Sequence, residues 1–214
     1  MKKFDLSGIT YLRPVGEGTA EWYYALDYPT GDLYEAEELH AMGKPLPGSS
    51  LYLIHYPDGE VFKPVECTEG TVLGEPVYYD GVISVAAVDF NAEEIRILNF
   101  DCAGREVTEA AVLPLSSVED CYNLRLHVHP LTLSRQPNDG TFDIVWPERK
   151  RLTITENESF FLRDGNKLFF SRWYEDPDYR EEVVIRDADS GEILEVLPGD
   201  IHVMPDGEFW YLKG

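Results

Sequence analysis

Four short turns at one spacing constrain this chain more than any other feature. Tyr79-Asp80-Gly81, Arg163-Asp164-Gly165 and Pro205-Asp206-Gly207 place their glycines 84 and 42 residues apart. Halving the larger interval points to position 123, where the sequence runs Cys121-Tyr122-Asn123. Asn is the residue after glycine that best tolerates the left-handed conformation. Strand-like sequence follows each position: VISVA, LRLHV, NKLFFS and EFWYL. A second turn comes later in three of these units, at Gly104, Gly140 and Gly191, leaving 23, 17 and 26 residues for the intervening strands.

Four-stranded units of about 42 residues predict an all-β, β-propeller-like fold, whose blades run ~40–45 residues. Counting the hairpin at Pro57-Asp58-Gly59 as a further blade gives about five. The chain ends just after the turn at Gly207, half a unit early, and begins with a spare hairpin half from Glu21 to about Leu33 with its own turn at Gly31. Pairing Phe209–Leu212 with those N-terminal strands would complete one blade and close the ring, removing exposed edges. The expected organisation is a single β-rich domain over residues 1–214 with a Gly- and Pro-rich arm over 1–20. An irregular β-sandwich or open barrel is the alternative.

In its turn-and-strand phrases the chain resembles WD40-like and other propeller repeat proteins, best over residues 75–214 through VVIRDADSGEILEVL and MPDGEFWYL. It has neither a Trp-Asp pair at the unit ends nor a Gly-His opening, so the resemblance implies a fold and no particular activity. The local signals agree with an all-β reading. Asp58-Gly59 between Leu51–Tyr56 and Val61–Val65 predicts a hairpin. The unbroken apolar run Val82–Val88 suits a strand buried on both faces. Asp27 to Gly31 predicts a turn. One helix is expected, over Leu33–Met42: Asp32 and Glu35 have N-cap and N3 spacing, and Gly43 supplies a stop. The competing reading pairs Leu33–Ala36 with the strand at 21–26.

Composition limits the partners. With 40 acidic against 18 basic residues, the net charge of −22 repels nucleic-acid backbones and anionic lipid, and attracts cations or a basic partner. No run approaches 18 apolar residues and no apolar run follows Lys2-Lys3, so neither a membrane span nor a secretory signal is expected. Cys67, Cys102 and Cys121 are odd in number and lack CxxC spacing, as in reduced thiols of a cytoplasmic protein.

Three groups of residues invite chemistry. Trp173, Tyr174, Glu175, Asp176 and Asp178, with Trp210 later, combine aromatic faces and carboxylates. Such a set could stack on a sugar and accept its hydroxyl hydrogen bonds, or hydrolyse a glycosidic bond if two carboxylates face each other. The plainer reading is a polar excursion between strands, with Trp173 and Tyr174 packed inward. His127 and His129 share one face of a strand and are weak metal candidates. Leu124, Leu126 and Val128 take the apolar face, which leaves both imidazoles on a solvated one beside Arg125. Asp187, Asp189 and Glu192 have a calcium-loop look without the EF-hand register, and turn chemistry explains them better. No nucleotide, hydrolase or zinc-protease motif is present, and no cofactor is expected. The expected function is a cytoplasmic binding or scaffolding module that presents loops to a protein or small-molecule partner. A carbohydrate-active hydrolase with paired carboxylates is the alternative.

Overall fold

The computed structural model describes residues 1–16, 18–27 and 31–214, so the turn expected at 27–31 falls largely outside the described residues. Among the described residues the fold is all-β, with four small antiparallel sheets of the kind that form propeller blades. Its internal contacts divide the chain into two compact units, Met1–Cys121 and Tyr122–Gly214. Among the described residues no helix is long and apolar enough to cross a membrane.

The first unit holds two sheets. One has the order β1 (Arg13–Pro14), β2 (Trp22–Leu26), β3 (Leu51–His55), β4 (Val61–Phe62). The other runs β5 (Thr71–Leu73), β7 (Val82–Asp89), β8 (Glu94–Asp101), β9 (Val107–Pro114), with β6 (Val77–Tyr79) also paired to β7. Helix α1 (Leu33–Ala41) is inserted between β2 and β3 and starts with the expected capping box. Asp32 accepts the Glu35 N–H at 2.9 Å and the Glu35 carboxylate accepts the Asp32 N–H at 2.9 Å. It stops where Gly43, at φ +67°, lets the chain turn back so that Lys44 N–H reaches the Leu39 carbonyl. Six consecutive residues of β7, Ile83–Val88, are buried, because neighbouring strands flank it and both its faces are covered. Asp80 and Gly81 both have positive φ, the geometry of a two-residue hairpin turn, and Tyr79 pairs with Val82 across it. Trp22, Tyr24, Leu26, Leu51 and Leu53 from the first sheet, with Val15 just after β1, meet Leu73, Ile83, Val85, Ala87 and Phe100 from the second in one core.

The second unit repeats the scheme with β10 (Arg125–His127), β11 (Thr132–Arg135), β12 (Thr141–Trp146) and β13 (Lys150–Thr153) in one sheet. β14 (Glu158–Asp164), β15 (Lys167–Tyr174), β16 (Arg180–Asp187), β17 (Ile193–Val203) and β18 (Phe209–Lys213) form the other, in sequence order. Phe142, Ile144, Leu152 and Ile154 pack against Leu168, Phe170, Val184 and Ala188. Phe142 and Phe170 are fully buried, each contributing roughly 1.5–3 kcal/mol of transfer free energy. Glu158, also fully buried, accepts two hydrogen bonds of 2.9 Å from the Arg186 guanidinium and one of 2.8 Å from the Thr155 hydroxyl. Arg172 stands 3.7 Å from the same carboxylate.

Two expectations are corrected. The described residues form four sheets, not about five blades, because the turns at Gly165 and Gly207 lie in one sheet, between β14 and β15 and between β17 and β18. The hairpin at Gly59 is no separate blade either: β2 pairs directly with β3 across all five of its residues. The terminal strands do not close a blade. β18 pairs with β17, while β2 has β3 on one edge and Arg13–Pro14 of the N-terminal arm on the other. Asn123 does take the left-handed conformation, at φ +47°, but it leads into β10 and does not join two strands of a hairpin.

Candidate binding surface

The residues singled out between 173 and 182 form the β15–β16 hairpin and its tip. Tyr174 pairs with Arg180, and Trp173 with Glu181, so residues 175–179 are the connection. Adjacent strand residues point to opposite faces, which separates Trp173 from Tyr174. Tyr174 is half-buried under the Arg180 guanidinium, 3.8 Å from its ring centroid, with Arg172 at 5.6 Å on the same ring. Glu182 holds Arg172 in place through hydrogen bonds of 2.6 and 3.1 Å. Cations occupy the tyrosine face that a sugar ring would need. Trp173 does not pack inward; it is 47% exposed.

Glu175, Asp176 and Asp178 are all exposed. Next to them Tyr179 donates its hydroxyl proton to Glu181, and this bond first, then burial and the negative charges of Glu181, Asp200 and Glu175, raises its phenol above the usual range. These causes locate carboxylates of the hairpin tip and of β17 around one phenol. Trp210 lies on β18 opposite His202, its indole N–H donating to Glu208 at 2.7 Å. It belongs to the same sheet as Trp173 but to a different strand pair.

β17 explains why this end of the sheet is so open. Its first half, Ile193–Pro198, pairs with β16, and its second, Gly199–Val203, pairs with β18. The changeover falls at Pro198, which has no N–H to donate, and Gly199, at φ +125°. A Cβ at Gly199 would stand 1.9 Å from the Leu212 carbonyl oxygen, so the close approach of the strands needs glycine there. β18 has a strand partner on one side only among the described residues. Trp210, Tyr211 and Leu212 on β18 are 39–52% exposed, and Ile193, Leu194 and Val196, on the half of β17 that pairs with β16, are 40–53% exposed.

The other candidates take structural places. His127 is not on a solvated face: its ring packs edge-on to Phe160 at 4.6 Å, and burial, aided by Arg125, lowers its pKa to about 4. His129 begins a turn at φ +69° and contacts the Phe209 ring at 5.3 Å; burial lowers its pKa too. Among the described residues no three His, Cys, Asp or Glu groups converge as a metal site. Asp187 closes the β16–β17 turn, accepting the N–H groups of Asp189 and Ser190 at 3.0 and 2.8 Å, while Asp189 pairs with Lys150 at 2.9 Å. Cys67 and Cys102 are half-buried thiols pushed up to about 11 by burial. An apolar crevice between Leu51, Leu53, Pro64, Val65 and Ile83 encloses about 10 Å³, room for about one water.

The exposed strands were the part missed by sequence reasoning. Trp210 stood out by composition, but Ile193, Leu194, Val196 and Leu212 look like ordinary strand residues until their position at the sheet margin is known. No protein-family model matches the chain, and no curated protein matches it in sequence.

Proposed function

We infer that this protein is a non-enzymatic binding or scaffolding module that contacts a protein partner through the margin of its fourth sheet. The observation that carries the reading is the exposure of Trp210, Tyr211 and Leu212 on β18, with Ile193, Leu194 and Val196 exposed further along the sheet on β17. Scattered apolar exposure is ordinary on protein surfaces, whereas three successive large apolar side chains exposed on one edge strand are characteristic of contact surfaces. The hydrolytic alternative needs one carboxyl kept protonated at neutral pH, commonly by removal from water. Glu175, Asp176 and Asp178 all stand in solvent.

Affinity capture from the source organism, comparing the native chain with a Trp210→Ser/Leu212→Ser variant, tests this. Both side chains are exposed, so the double variant keeps the fold, which circular dichroism checks. A partner retained by the native chain and lost from the variant is expected. Equal capture by both, or no selective capture, refutes the assignment of the binding surface.

A further inference from the structure

The free margin of β18 has a polarity that can be assigned. At one end the Glu208 carbonyl accepts the Met204 N–H at 2.8 Å, and at the other Gly214 N–H donates to Pro198 at 3.1 Å. Both bonds run between the two arms of the β17–β18 hairpin. Since backbone groups alternate in direction along a strand, residues 208, 210, 212 and 214 direct theirs at β17. Phe209, Tyr211 and Lys213 direct theirs outward. Among the described residues these outward groups have no backbone partner. Three consecutive outward positions with a two-residue repeat match the ladder that an added strand makes.

The surroundings select the chemistry of that strand. From Trp173 to Gly214 there are 12 acidic residues against three basic ones. One of the three, Arg186, is buried on Glu158, and another, Arg180, lies over Tyr174. Glu175, Asp178, Asp206 and Glu208 are exposed on the connections at the two ends of the β18-paired half of β17, the half that faces Trp210 and Leu212. A second copy of the chain would bring another net charge of −22. Like charge disfavours that occupant and a cationic one is drawn in.

We propose that the outer edge of β18 takes up, by strand addition, an extended protein segment that alternates basic and aliphatic side chains. Main-chain hydrogen bonds to Phe209, Tyr211 and Lys213 hold the segment in register. Its aliphatic side chains lie against the exposed apolar residues, and its basic ones meet the carboxylates. This rests on the binding reading above and adds the mode and the partner's chemistry.

The test uses the full chain and three synthetic probes: acetyl-Val-Lys-Val-Lys-Val-Lys-Val-amide, its Glu-for-Lys counterpart, and the Lys peptide N-methylated at alternate residues. Binding is read by calorimetry at low and high salt. Tyr211→Pro removes one outward N–H without touching the bonds to β17, as proline is tolerated on such an edge. Tyr211→Val keeps that N–H and controls for loss of the phenol. The Lys peptide is expected to bind, to weaken as salt rises, and to bind Tyr211→Pro about tenfold more weakly than Tyr211→Val, as for the loss of one or two main-chain hydrogen bonds. The N-methylated and Glu peptides are expected to fail. The N-methylated probe tests the edge on the native chain even if Tyr211→Pro misfolds. Binding weaker than about 1 mM, equal binding of the Lys and Glu peptides, or indifference to both N-methylation and Tyr211→Pro overturns the proposal. So does a dimer of the native chain that Tyr211→Pro dissociates. Capture abolished by Trp210→Ser/Leu212→Ser but untouched by Tyr211→Pro leaves the binding surface standing and overturns strand addition alone.

Discussion

The buried carboxylate of Glu158 offers the sharpest check on the second unit. Its side chain has no exposure, and Arg186, its bidentate partner, is 6% exposed. Replacing Glu158 by Gln keeps shape and one acceptor but removes the charge. The Arg186 guanidinium is then left inside with the Gly191 carbonyl, at 2.7 Å, and an amide oxygen. Arg172 keeps Glu182 and is little affected. Breaking a buried pair on one side costs about 3–5 kcal/mol, and the retained amide places Glu158→Gln near the lower end, ~3 kcal/mol. Urea unfolding followed by tryptophan emission reads this directly, since Trp146, Trp173 and Trp210 all belong to the second unit. Adding Arg186→Met removes the stranded charge and should recover ~1–2 kcal/mol of the loss. A single-variant loss below about 1 kcal/mol, or a double variant no more stable than the single, would show that the pair is not closed to water as described.

Two further outcomes follow from other elements. His127 has a folded pKa of about 4 against 6.5 for the free side chain, so the fold favours its neutral form. That contribution is complete above pH 6.5 and is lost as pH falls from 6.5 toward 4, because the unfolded chain then binds the extra proton. Between pH 7 and pH 5 the native chain should lose about 2 kcal/mol on this account; His127→Gln should remove that part of the pH dependence, measured by unfolding at both values. Gly199→Ala forces a side chain onto the Leu212 carbonyl and onto a φ that L residues avoid, costing about 1–3 kcal/mol locally. Amide exchange at Trp210, Leu212 and Gly214 should accelerate while the Phe142–Phe170 core stays protected; unchanged exchange on β18 would contradict the assigned pairing.

Features set by neighbouring residues could be read from sequence. The Asp32/Glu35 capping box fixes the start of α1, and Asp-Gly and Asn turns mark connections because their chemistry spans only a few residues. Sheet membership could not be read this way. Gly165 and Gly207 carry like turn signals at a regular interval, but nothing local says that β14 to β18 share one sheet. His127 shows the same limit: alternation along 124–128 puts it on a polar face, and what covers it is Phe160, from another sheet. The composition of 173–178 drew notice to the β15–β16 hairpin tip, while the surroundings of each side chain there were not legible. Arg180 and Arg172 take the Tyr174 ring, and the open apolar surface comes from β17 and β18.

The division at Cys121 bears on how such a chain can be taken apart. Each unit encloses its own core between two sheets, and the Cys121 N–H donates to the Glu37 carboxylate on α1 at 2.7 Å. The last residue of the first unit is thus fastened to a helix 84 positions earlier. Chain added or cut immediately after it falls between the two cores and within neither.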